Sequence, residues 1–126
     1  MSETGCVLVC VTVQKECGRL IRFGREIATR EGLPLHVLHV CSAKTTMLGN
    51  PDAAEALDYL FSLAHQADAE MNILYDEADA VAAIARYARH HGARQVVMGQ
   101  DQSGFGLRLR GQLPRGTELI SPHGNE

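Results

Sequence analysis

The sequence predicts an α/β domain built on a parallel sheet. Three observations carry this. The hydrophobic period switches repeatedly between strand-like and helix-like stretches, and the strand-like stretches are continuous apolar runs rather than alternating ones. The chain has 126 residues, a length that suits one core and no second domain. Strands separated by helical patterns pair in parallel through right-handed crossovers.

Cys6 to Val11 is an unbroken β-favouring run, as expected of a strand buried on both faces. From Cys17 the apolar positions become 17, 20, 21, 24, 27 and 28, one face of a helix that Gly32 and Pro34 bring to an end. Leu35 to Cys41 is a second strand, interrupted by His36 and His39. Asn50-Pro51 reads as an N-cap and first helical residue, and the helix that follows is expected to bury Ala53, Leu57, Leu60, Phe61 and Ala64. Met71 to Tyr75 gives a third strand. Asp76 is expected to cap a third helix with Val81, Ile84, Ala85 and Ala88 inward, ended by Gly92. Gln95 to Met98 forms a fourth strand. From about residue 100 the sequence turns irregular and rich in Gly and Pro, with room for one short strand over Thr117–Ile120.

Composition narrows the function classes. An apolar fraction of 45% and a charged fraction of 21% are those of a globular chain, not a disordered one. A formal charge of −3 gives no electrostatic reason to expect nucleic acid or an anionic membrane as partner. Aromatic content is 5% with no tryptophan, too little for a base-stacking platform. The apolar run near the start is far too short to span a bilayer, and no signal-like segment follows Met1, so a cytoplasmic location is expected. Cys6, Cys10, Cys17 and Cys41 form no C-x-x-C pair, so neither a zinc site nor a disulfide framework is expected.

In an open α/β sheet the ligand crevice lies beyond the carboxyl ends of the strands. Four loops qualify: residues 12–16, 42–49, 76–77 and 99–111. The last is the most informative, because five of the twelve glycines fall between Gly99 and Gly116. Glycines there let backbone N–H groups approach an anion, and Arg108 and Arg110 supply charge. A plain surface loop with solvated arginines would have the same composition.

Along nearly its whole length the chain resembles the universal stress protein family, a branch of the adenine-nucleotide-binding α/β proteins. The resemblance runs through Val7 to Gly32, Leu35 to Val40 and, most closely, the helix and strand from Asp79 to Gly99. It is nearer to the stress-protein domains of potassium-sensing histidine kinases than to the familiar ATP binders. It implies a three-layer doubly wound sheet in the order 3-2-1-4-5, like that of the adenine nucleotide alpha hydrolases, and commonly a homodimer. The last helix and strand are expected to be shortened, since 27 residues remain after Gly99.

ATP-binding members carry G-x2-G-x9-G-[ST] after the fourth strand and an aspartate at the end of the first. Starting from Gly99, the second and third glycines fall on Gln102 and Gln112, and Thr12 stands in the place of the aspartate. The crevice is therefore expected to be a degenerate form of the family's, lined by Thr12, Val13, Gln14, Lys15, Cys41, Gly99, Ser103, Gly104, Gly106, Arg108, Arg110 and Gly111. No cofactor is required by this reading, and ATP or AMP is the ligand it allows. The expected role is a non-catalytic regulatory or signalling domain, with a signalling protein as a further partner. Two alternatives stand beside it: an ATP-binding stress protein with weak ATPase activity, and a nucleotide-free dimerisation scaffold. Family dimers commonly pair through the last strand, so here either Thr117–Ile120 supplies it or another surface is used.

Other residues have plainer readings. Cys17 and Cys41 suggest paired thiols at the crevice, but buried free cysteine usually behaves as a small hydrophobe. His36 and His39 are three apart on a strand and so face opposite sides, one toward the first helix and the other toward the second or a partner. That geometry is poor for a shared metal. His90-His91 suits a helix C-terminus, Asp76, Glu77 and Asp79 suit a helix start, and Met47-Leu48 suits a core-covering loop.

Overall fold

The structure is a computed structural model that describes residues 5–11, 17–42, 51–77, 79–99 and 105–121. The elements are β1 (Cys6–Val11), α1 (Cys17–Glu31), β2 (Leu35–Ser42), α2 (Pro51–Gln66) and β3 (Glu70–Glu77), then α3 (Ala80–His91), β4 (Ala93–Met98), α4 (Phe105–Gln112) and β5 (Glu118–Ile120). Five strands make one sheet in the order β3-β2-β1-β4-β5, and every pairing is parallel. This is the doubly wound α/β architecture and strand order expected from the sequence.

The apolar runs divide between two faces because successive strand residues point opposite ways. Val7, Val9 and Val11 of β1, Leu35 and Val37 of β2 and Val97 of β4 pack against Leu20, Ile21, Ile27 and Ala28 of α1 and Leu60 and Ala64 of α2. Cys6, Leu8, Leu38, Val96 and Met98 pack on the other face, against Val81, Ile84, Ala85, Tyr87 and Ala88 of α3 and Leu109 of α4. A sheet covered on both faces needs strands that are apolar throughout, which explains the unbroken runs. One close approach fixes α1. A Cβ at Gly24 would run into Val9 Cγ2, so only glycine lets the helix lie this near β1.

Several sequence expectations are corrected. The cap of α3 is Asp79, not Asp76: its carboxylate accepts from the N–H groups of Val81 and Ala82 at 3.0 and 3.3 Å. Asp76 and Glu77 instead end β3, which runs two residues past Tyr75. Phe61 is 47% exposed, because Leu60 and Ala64 already fill the inward stripe of α2. The side chains of Ala53 and Leu57 lie outside the described part. β4 starts at Ala93, ahead of Gln95. Part of the segment read as a glycine-rich loop forms α4, the shortened last helix that the resemblance implied, anchored by Leu109. His36 faces α3, where its Nδ1 shares a 2.8 Å hydrogen bond with the Tyr87 hydroxyl, rather than α1 or α2.

Candidate functional site

Sheet order locates the crevice. The chain winds outward from β1 to β2 and β3, then crosses over to β4 on the other side of β1. In a sheet of this order the switch point, where a gap opens at the carboxyl ends of the strands, falls between β1 and β4, beside Val11 and Met98. The helices that follow, α1 and α4, lie on opposite faces and start at this end, so two positive helix termini flank the gap.

Two side chains to which the sequence assigned no role at the crevice, His39 and Ser121, sit at this end. His39 lies level with Val11 in the register of β1 and β2, and its Nδ1–H donates to the Val11 carbonyl at 3.0 Å. Ser121, just after β5, donates its hydroxyl to the Met98 carbonyl at 3.0 Å and lies 3.2 Å from the Gly99 carbonyl. Both occupy carbonyl oxygens at the ends of β1 and β4, which reduces the exposed negative potential where an anion would approach. The signals were faint: one of two histidines in an otherwise apolar strand, and a serine directly after a strand.

Gly99 and Gly106 both lie at the carboxyl end of β4, Gly99 toward α1 and Gly106 toward the opposite face. A Cβ at Gly99 would meet Leu20 Cδ1 at 3.5 Å, and one at Gly106 would meet Met98 Sδ and Leu119 Cδ2, each at 3.9 Å. Both are ordinary contacts, so packing does not demand glycine at either place. Arg108 is exposed in the middle of α4. Arg110 and Gly111 belong to its last turn, about 8 Å along the axis from its start, and so lie toward the far end of the sheet. Thr12, Val13, Gln14, Lys15, Ser103 and Gly104 fall outside the described residues, as does Met47-Leu48. Cys41 closes on the end of β2, with its side chain, like that of Cys17, outside the described part.

The described thiols are not reactive ones. Burial pushes Cys10 up to about 12, and burial followed by the nearby Glu70 carboxylate pushes Cys6 up to about 11. Neither forms thiolate near neutrality. Among the described residues no group of three His, Cys, Asp or Glu side chains is placed to hold a metal ion. Among them, too, no helix is long and apolar enough to cross a membrane.

A sequence model described as the Universal stress protein family matches residues 5–114. The chain belongs to the universal stress protein family. Solved structures agree on the fold. A universal stress protein from Archaeoglobus fulgidus in complex with dAMP superposes with a TM-score of 0.71 at 21% identity, covering 92% of this chain and 97% of that one. A universal stress protein in complex with cAMP gives 0.70 at 17% identity, covering 97% and 98%. UspA from Lactobacillus plantarum gives 0.70 at 19%, covering 98% and 100%. No curated protein matches the chain. At these identities the likeness to the solved structures speaks for the fold alone.

Proposed function

We propose that this chain is a non-catalytic regulatory domain that binds an adenine mononucleotide weakly at the carboxyl ends of β1 and β4. The observation that carries the reading is the pair of helix starts flanking the β1–β4 gap, with the strand-end carbonyls already occupied by His39 and Ser121. Two similar folds hold dAMP and cAMP, each with a single phosphate group. One helix N-terminus is enough to receive one phosphate. A triphosphate needs more donors, and the glycines that would bare them are replaced by Gln102 and Gln112. Thr12, Val13, Gln14 and Lys15 would form one wall of the site and Gly99, Ser103, Gly104 and Gly106 the other, with Cys41 at its margin. Arg108 contributes long-range charge, and Arg110 and Gly111 serve the far turn of α4 instead.

Nothing in this set supplies a base aimed at an attacking water, so ATP turnover is not part of the reading. The domain works by occupancy, signalling to a protein partner and functioning as a homodimer in the cytoplasm. A 15N-resolved AMP titration tests the placement. The amides of Gly99 and Gly106 shift on addition of AMP, while those of Glu70 and Arg115 at the opposite end stay in place. Unmoved Gly99 and Gly106 amides at millimolar AMP, or phosphate release from ATP above the blank, would contradict it.

A further inference from the structure

The two edges of the sheet are finished differently. β5 has three residues and opens on an exposed glutamate, and short edge strands resist further pairing. β3 has eight residues and pairs only with β2 among the described strands. It contains neither lysine nor proline, two of the usual guards of a strand edge. Its carboxylates sit at its ends, Glu70 first and Asp76 and Glu77 last, and its register shift with β2 falls late, between Val40 and Ser42. The middle of the edge, residues 71–74, has no such guard.

The two faces beside this edge differ in chemistry. On one lies α2, which packs against α1 and β3 and is the outer helix of its layer. Leu63 faces α1, since a Cβ at Gly18 would lie 3.6 Å from its Cδ1. Phe61, two residues earlier and about 160° away around the helix, is turned outward instead and is exposed. An apolar ring is thus held beside an unpaired strand edge, on the face where Met71 and Ile73 join the core. On the other face exposed Glu70 lies level with His36 and accepts from Asn72 Nδ2 at 3.2 Å. Burial keeps His36 and Tyr87, the titrating groups near it, uncharged at neutrality. Arg25 comes from the α1 face and is committed to the Ala67 and Asp68 carbonyls, at 2.9 and 3.4 Å, in the turn ahead of β3.

We propose that the outer edge of β3 receives an extended segment of a partner protein, a basic amphipathic strand with apolar side chains beside Phe61 and lysine or arginine toward Glu70. Backbone hydrogen bonds along the edge supply affinity, and the alternate side chains supply specificity. A second copy of this chain fits less well. Two β3 edges laid together set Glu70 against Asp76 and Glu77, or against its own counterpart, and like charges across a strand pair are destabilising. This inference rests on the reading of a signalling partner and is independent of nucleotide binding.

Amide spectra and hydrogen exchange of the full chain test it, with a blocked octapeptide alternating valine and lysine as probe. The peptide shifts the amides of residues 71–74 saturably and slows their exchange. The same peptide with every backbone amide methylated, or with glutamate in place of lysine, does neither. Phe61→Ala and Glu70→Lys each weaken binding by about fivefold or more; both positions are exposed, and circular dichroism confirms the fold. Equal binding of the methylated peptide would reduce the contact to charge and overturn the proposal, whether or not the variants fold. Affinity unmoved by both variants likewise overturns it. Binding that leaves residues 71–74 unshifted overturns this edge but keeps a protein partner elsewhere, and no binding by any probe at millimolar concentration overturns both. Edge amides protected in the free protein and released on dilution would show a second copy seated there, and would also overturn it.

Discussion

α3 and α4 cover the same face of the sheet, yet they are built to different standards. α3 has an aspartate cap at its start, an unbroken buried stripe from Val81 to Ala88, and Gly92 in the left-handed conformation closing its end onto the Ala88 and Arg89 carbonyls. Every local choice agrees with the fold. α4 holds two glycines in eight residues, buries Leu109 and leaves Leu107 74% exposed. Its sequence favours helix weakly, and tertiary packing around Leu109 makes up the difference. The better-built helix supports the core, and the weaker one borders the gap where a ligand would sit. Low intrinsic stability is expected of segments that bind.

Substitutions can break this contrast or sharpen it. The largest effect is expected at Ile84, 3% exposed in α3, where Ile84→Ala should cost about 2–5 kcal/mol in chemical denaturation. Leu107→Ala on α4 should stay within about 0.5 kcal/mol of the parent, and a cost similar to that of Ile84→Ala would mean the two helices are equally integral. Next comes the cap: Asp79→Ala should cost about 1 kcal/mol, by leaving the Val81 and Ala82 amides without their acceptor. At Gly111 no neighbour lies within 4 Å of an added Cβ and the backbone is not left-handed. Gly111→Ala should therefore raise stability by about 0.5–1 kcal/mol, seen as a higher melting temperature.

The smallest effect is a pH dependence on the α3 side. Burial holds His36 below its ordinary 6.5; the facing Glu70 carboxylate opposes this, and the nearby His91 adds to it. The unfolded chain then binds its proton first, so this contribution is complete above about pH 6.5 and is lost as pH falls below it. Tyr87, Cys6 and Cys10, the other titrating groups on this side, are all pushed upward by burial and stay neutral there. Melting curves at pH 7.5 and 5.5 should differ less for His36→Asn than for the parent. An identical difference would remove His36 from the account.

Legibility in the sequence followed the same divide. Strands buried on both faces announce themselves as apolar runs, so β1, β2 and β4 could be read directly, and α3 was marked by its period and its closing Gly92. The cap was misplaced by three residues because Asp76, Glu77 and Asp79 all suit a helix start, and only the length of β3 decides between them. A shortened last helix was implied by the resemblance, but its position at α4 was read as loop because two glycines outweigh one buried leucine in any local reading. At the gap, His39 and Ser121 act through backbone carbonyls of the neighbouring strand, and no spacing rule connects residues that only sheet register brings level.

Calorimetric titration of the full chain with AMP and with ATP tests the central claim most directly. The account predicts saturable heat with AMP, at a dissociation constant in the high micromolar range, and ATP binding no more tightly. ATP binding tenfold tighter than AMP would show a working triphosphate site, and no heat with either nucleotide at millimolar concentration would show that the gap holds no nucleotide.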